Sequence, residues 1–240
     1  MSTSRDSRWI RLLLVAGLAI STLLPLLLLA VASVGREWFF PALLPPTVSF
    51  ASWRDLLDPA GRLGPAGISS AVIGCGTGII CIVVALPIGR ALVELEGWQR
   101  RLGAATAFLP VATPPIALAT GLQLSFLHLG IGGTAIGVML AHAVPAVGYA
   151  SLYFLGVFAV FDRRIEDEAR SLGATSLQTL VRVTIPLLRR PIAEVFLLGF
   201  LISWAQVPLT LIVGAGVVRT LPVEVLSYVQ AGQDRYAAAG

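Results

Sequence analysis

The stretch DRRIEDEARSLGATSLQTLVRVTIP, running from Asp162 to Pro186, is a charged island in an apolar chain. Its acids Glu166, Asp167 and Glu168 fall where a helix would begin, a position that complements the positive end of the helix macrodipole. Gly173 permits a sharp turn, and Ser176 suits the N-cap of a second short helix. Leu172, Leu177 and Leu180 would then form one exposed ridge. Pro186 would end the pair and lead into the next apolar segment. A compact, partly apolar knob of this kind suits docking into a groove on another protein.

On both sides of the island charge disappears. Residues 12–35, 63–89, 102–161 and 195–218 contain no Asp, Glu, Lys or Arg. A helix needs about 20 apolar residues to cross the hydrocarbon core, so the first, second and fourth stretches are one span each. As a single helix the third would run about 90 Å, three times the core thickness. It must fold back, and Leu129-Gly130-Ile131-Gly132-Gly133 is the place. Five spans follow, over 12–33, 67–90, 104–127, 134–158 and 192–214. The N-terminal apolar run is longer than the core of a secretory signal, so the first span is expected to stay uncleaved.

Across all 240 residues 56% are hydrophobic and 12% charged, which excludes a soluble enzyme. All 17 basic residues are Arg. Without Lys there is no P-loop, lysine Schiff base or lysine general base, so ATP hydrolysis, if used, belongs to another chain. With the N-terminus in the cytoplasm, twelve Arg lie on that side and five (Arg36, Arg54, Arg62, Arg219, Arg235) on the other. This orientation makes 162–190 a cytoplasmic loop. The outer segment 34–66, with Trp38, Trp53 and the run Trp53 to Pro59, reads as a loop carrying a short surface helix. Cys75 and Cys81 match no metal or redox spacing and read as packing residues. The cluster Gly74-Cys75-Gly76-Thr77-Gly78 allows close helix approach, and Glu194 is placed to pair with Arg190 at i,i+4. Leu226 to Gln230 reads as a short helix, and the Ala-rich end at Tyr236 to Gly240 as the opening of a sixth span cut short.

The island resembles the EAA motif of bacterial ABC importer permeases: Glu-Ala-Ala, three residues, Gly, nine residues, then Ile-x-Leu-Pro. Asp167-Glu168-Ala169, Gly173 and Val183-Thr184-Ile185-Pro186 occupy those positions with both internal spacings kept. Asp replaces Glu, Glu the first Ala, Val the Ile and Ile the Leu. The likeness extends from about Gly67 to Gln230, including Gly121-Leu122-Gln123, the run Gly137 to His142, and Thr220-Leu221-Pro222. It is similar to the branch that imports polyamines, iron and thiamine.

That resemblance implies an all-α integral membrane protein of the type I ABC importer permease fold, one permease domain over 1–240 with its core at 67–230. It implies two permease subunits around a solute pathway, separate ATPase subunits binding ATP and Mg, and an extracytoplasmic solute-binding protein. The setting would be the bacterial cytoplasmic (inner) membrane. No cofactor, catalytic residue, metal or nucleic acid is expected for this chain. Asp167, Glu168, Ala169, Leu172, Gly173, Leu177, Val183, Ile185 and Pro186 would form the coupling loop that seats in the ATPase. Polar residues inside spans are costly, which makes Gln123, His142, Tyr149, Ser203, Trp204 and Gln206 pathway candidates. The alternative for a lone intramembrane His or Gln is an interhelical hydrogen bond. Polyamine permeases of this branch resemble Ser-Phe-Asp-Asp or Ser-Phe-Asp-Glu where this chain has Ser203-Trp204-Ala205-Gln206, so the acids that would face a cation are missing.

Two other classes fit less well. An intramembrane hydrolase needs a metal or nucleophile constellation, whereas the chain has only His128 and His142, and neither HExxH nor GxSxG. A secondary transporter normally carries intramembrane carboxylates, and the four charge-free stretches have none.

Overall fold

The computed structural model describes residues 3–36, 38, 41, 42, 44–58 and 60–240; Pro59 of the outer segment lies outside them. Contacts divide the chain into two compact units, residues 1–66 with 224–240 and residues 67–223.

In the first unit, α1 (Thr3–Val34) is followed by a two-stranded antiparallel hairpin, β1 (Gly35–Arg36) with β2 (Thr47–Val48), and by α2 (Ala51–Leu57). From Arg11 to Val34 α1 is long and apolar enough to cross a membrane. Its leucines from Leu12 to Leu29 are exposed, as lipid-facing side chains are. Near its end Ser33 accepts a hydrogen bond from the Trp53 indole (3.1 Å), while Ser52 donates to the Ser33 carbonyl (2.7 Å). These bonds dock the short helix expected in the outer segment. The last helix, α13 (Asp234–Ala239), packs on α1 and α2.

The second unit is built on α3 (Leu63–Glu94), α4 (Gly97–Ala112), α5 (Pro115–His128) and α6 (Ala135–Ala159). After the loop come α10 (Arg189–Trp204) and α11 (Val207–Val213). Helix α12 (Leu221–Gln230), whose residues from 224 onward belong to the first unit, starts earlier than the short helix read at 226–230. Both α3 and α6 are long and apolar enough to cross a membrane alone. The fold-back falls where the glycines place it: Gly130 and Gly133 have φ of +69° and +72°. Thr134 then caps α6, accepting from the Gly137 N–H at 3.0 Å.

Two of the expected spans are not single helices. The one at 104–127 is α4 and α5, bent by 95°, and the one at 192–214 is α10 and α11, bent by 63°. The first break has a sequence cause that the charge pattern hides. Thr113 precedes Pro114 and is extended (ψ 133°), and Pro114 and Pro115 both lack the N–H needed to continue the helix. At the second break Gln206 leaves helical geometry (φ −85°, ψ 76°) and Pro208 sits in the first turn of the next helix. Among the described residues there are thus three helices long enough to span alone, or up to five spans if each bent pair counts as one.

In lipid, apolar burial drives little association between helices, so shape and hydrogen bonds must hold them. The glycine cluster of α3 provides the shape. A Cβ on Gly74 would meet the Phe200 ring at 2.8 Å, one on Gly76 the Met139 sulfur at 2.3 Å, and one on Gly78 the Phe196 carbonyl oxygen at 2.8 Å. Cys81 is buried in the same interface beside Gly199, and Cys75 is exposed. Glu194 departs from the expected pairing: its carboxylate accepts from the Tyr153 hydroxyl on α6 rather than from Arg190.

Candidate functional site

The island folds as α7 (Arg164–Ser171), a turn at Leu172-Gly173-Ala174, and α8 (Ser176–Thr179). A five-residue π-helical turn, Leu180–Thr184, and the short α9 (Ile185–Leu187) complete it. Gly173 has φ +91°, a backbone conformation that side-chain-bearing residues resist, and open space surrounds the position of a Cβ. The cap of α8 is Thr175, not Ser176. Thr175 accepts from the Gln178 N–H (3.3 Å), while the Gln178 side chain accepts from the Thr175 N–H (2.9 Å), a reciprocal capping box. Pro186 does not end the helical path either; it sits in the first turn of α9, where its missing N–H costs nothing.

Exposure separates the loop into two faces. Leu172 and Leu177 are 89% and 69% exposed and flank the Gly173 turn, while Leu180, the third member of the expected ridge, is half-buried. Asp167 and Glu168 face outward, Asp167 paired with Arg170 at 3.1 Å. Ala169 and Val183 are half-buried, and Ile185 and Pro186 are exposed.

The other face holds residues that the motif does not mark. Glu166 is buried and makes a two-pronged contact with the Arg90 guanidinium of α3, at 3.0 and 2.5 Å. The Thr184 hydroxyl, also buried, donates to the same carboxylate, and Arg170 approaches it at 3.6 Å. Burial alone would raise the Glu166 carboxyl. Hydrogen bonds from Arg90 and Thr184, with the charges of Arg90 and Arg170, outweigh burial and hold it below the ordinary carboxylate value. The sequence does not single Arg90 out, because Glu94 four residues on could answer its charge locally.

The pathway candidates separate into groups. His142 is buried on α6, its Nδ1 2.8 Å from Ser203 Oγ of α10 and its Nε2 3.0 Å from Thr210 Oγ1 of α11. Thr77 of α3 adds a 3.4 Å contact to Ser203. Tyr149 and Gln206 meet at a cavity of about 130 Å³ that Pro110, Thr113 and Pro145 also line, so both helix breaks open onto it. The Gln123 amide nitrogen, assigned to satisfy its neighbours, lies 3.3 Å from the carbonyls of Ile212 and Val213. Trp204 packs its ring 5.4 Å from Phe200. Among the described residues no group of three His, Cys, Asp or Glu could hold a metal ion.

Residues 78–238, more than half of the chain, match the model of a protein family described as the binding-protein-dependent transport system inner membrane component. The chain belongs to that family. Among relatives of this permease, the spermidine/putrescine transport system permease protein PotC of Haemophilus influenzae is 24% identical over 181 residues, covering 75% of this chain and 70% of PotC. The trehalose transport system permease protein SugB of Mycobacterium tuberculosis is 27% identical over 192 residues, with 80% and 70% covered. The molybdenum transport system permease protein ModB of the same species is 27% identical over 201 residues, with 78% and 75% covered. The fold also matches the crystal structure of a bacterial ABC transporter involved in the import of the acidic polysaccharide alginate. The TM-score is 0.72 at 18% identity, over 100% of this permease and 91% of that chain. This permease is therefore a membrane transport component of an ABC importer, and its family's members are not themselves enzymes.

Proposed function

We propose that the chain forms one half of a solute pathway in the bacterial inner membrane, with its N-terminus in the cytoplasm. The loop around residues 167–186 couples it to a separate ATPase that binds ATP and Mg. A second permease subunit completes the pathway, and an extracytoplasmic binding protein delivers the solute. The observation that carries this reading is the pair of leucines, Leu172 and Leu177, held out on either side of the Gly173 turn. An apolar projection at the charged end of a membrane protein is expensive to leave in water and suits a groove on a partner. Closure of the ATPase dimer would draw such loops together and switch the helices between two packings.

The relatives' names span a polyamine, trehalose and molybdenum. Kinship gives the class of machine, and the solute follows from the pathway side chains. Tyr149 and Gln206, which line the cavity, offer a hydroxyl and an amide, and residues 195–218 carry no acid. A cationic solute would have no counter-charge there, so we assign the pathway to a solute without net positive charge.

The test is affinity purification from native membranes. An ATPase subunit should co-purify with the unsubstituted chain and be lost from Leu177→Arg, which inserts normally because the side chain is exposed. Equal recovery of the ATPase with both forms would sink the coupling-loop assignment.

A further inference from the structure

Arg90, Glu166 and Thr184 are remote in sequence and come from α3, α7 and the π-helical turn. Around the Glu166 carboxylate they make one joint. Two nitrogens of Arg90 meet two oxygens of Glu166, and Thr184 donates to one of those oxygens. The Arg90 guanidinium also lies 5.9 Å from the centre of the Phe158 ring near the end of α6. Beside the joint, Leu188 is buried in a cluster with Phe154, Phe158 and Val195.

A buried ion pair adds little net stability, because the desolvation of both charges offsets their attraction. A guanidinium and a carboxylate joined by two parallel bonds do fix orientation, since the two planar groups match in few arrangements. The joint therefore acts on geometry more than on stability. It ties the α7–α8 knob to α3, the helix whose glycines seat α6 and α10.

Resting on the coupling reading above, we propose that Arg90 and Glu166 are positioning residues that make the loop and α3 move as one piece. The ATPase would push on Leu172 and Leu177, and the Arg90–Glu166 fork would pass that displacement into the membrane helices. Without it the loop would swing on its two chain connections while α3 stayed behind.

The experiment uses the full complex with its co-purifying ATPase in lipid nanodiscs, in a Cys75→Ala/Cys81→Ala background. Spin labels are attached at Val83→Cys on α3 and Ser171→Cys at the end of α7, both at exposed positions and outside the leucine pair that meets the ATPase. With Arg90 and Glu166 intact, the label distance should be narrow and the same with or without ATP and Mg. With Glu166→Gln it should roughly double in width and shift when ATP and Mg are added, while ATP hydrolysis stays within about twofold. Arg90→Lys, which keeps the charge and loses the fork, should behave like Glu166→Gln and decides the matter if that variant does not reach the membrane. A narrow distance indifferent to ATP in both variants, with the ATPase still bound, would overturn this inference alone. Failure of any ATPase to co-purify with the unsubstituted chain would overturn the coupling reading and the inference with it.

Discussion

Single residues carry unequal weight in the loop. Gly173 is set by its backbone, because φ +91° is strained for any side chain even though a Cβ there would meet open space. Gly173→Val should destabilise the loop by about 1–3 kcal/mol and raise amide exchange across 164–184 without changing exchange in α3 or α6. Glu166 makes a pH prediction whose sign follows from its lowered pKa. The folded state favours the carboxylate, so its stabilising effect is in place above the ordinary carboxylate value and is lost as pH falls through the lower folded one. The purified permease should hold its unfolding temperature above the ordinary carboxylate value of 4.5 and lose it progressively as pH falls below that, more steeply than Glu166→Gln does. The turn of this loop was readable because Gly173 and the acids ahead of it mark a turn and a helix start in any sequence, whereas Pro186, read as a stop, lies inside α9. Arg90 and Thr184 were not, since they meet Glu166 only after folding, across 76 and 18 positions of chain.

Helices show the same division between what local chemistry reveals and what packing decides. Charge-free length located four apolar stretches, which hold three long helices and two bent pairs among the described residues, and the glycines around Gly130 located the fold-back. The bends escaped because a missing N–H leaves no mark in a charge pattern, and Thr113-Pro114-Pro115 is as uncharged as its neighbours. The pair Tyr149 and Gln206 was singled out only as polar residues in lipid, and it took both breaks to bring them to one cavity. Two predictions belong here. Replacing Pro114 and Pro115 together by Ala restores two N–H donors and should straighten α4 into α5, closing the cavity; cysteine accessibility at Gln206→Cys should then fall. Gly148 sits 2.5 Å, as a Cβ would measure it, from the Ala107 carbonyl. Gly148→Val should part α4 from α6 at a cost of about 1–3 kcal/mol, read as a lower unfolding temperature in detergent.

For the whole molecule, the division of surface is the informative property. The window of α1 that passes as a span has none of its residues buried, whereas that of α6 has 56% buried. Side chains of α1 such as Leu23 therefore contribute little to packing within the chain. Leu23→Ala should change unfolding stability by less than about 0.5 kcal/mol, whereas Phe154→Ala, in the buried cluster of α6, should cost about 3 kcal/mol or more. Thermal unfolding of the two variants side by side separates the helix left exposed on this chain from the packed one. Sequence could rank both segments as membrane spans but not tell them apart. Which helix packs within the chain and which does not is settled by neighbours that hydropathy does not see.

The bend between α4 and α5 also bears on how the chain is made. With 16 and 14 residues, the two helices reach only about 24 and 21 Å, short of a hydrocarbon core near 30 Å. During synthesis neither is a dependable signal for the insertion machinery, and the pair is held in the bilayer by partners that emerge later from the ribosome, α6 against α4 and α11 against α5. A nascent chain stopped after His128 should therefore let this segment slip out of the membrane, and one extended past Val213 should retain it. The permease would then have an order of assembly written into it, in which the first half of the longest charge-free stretch is among the last to become secure.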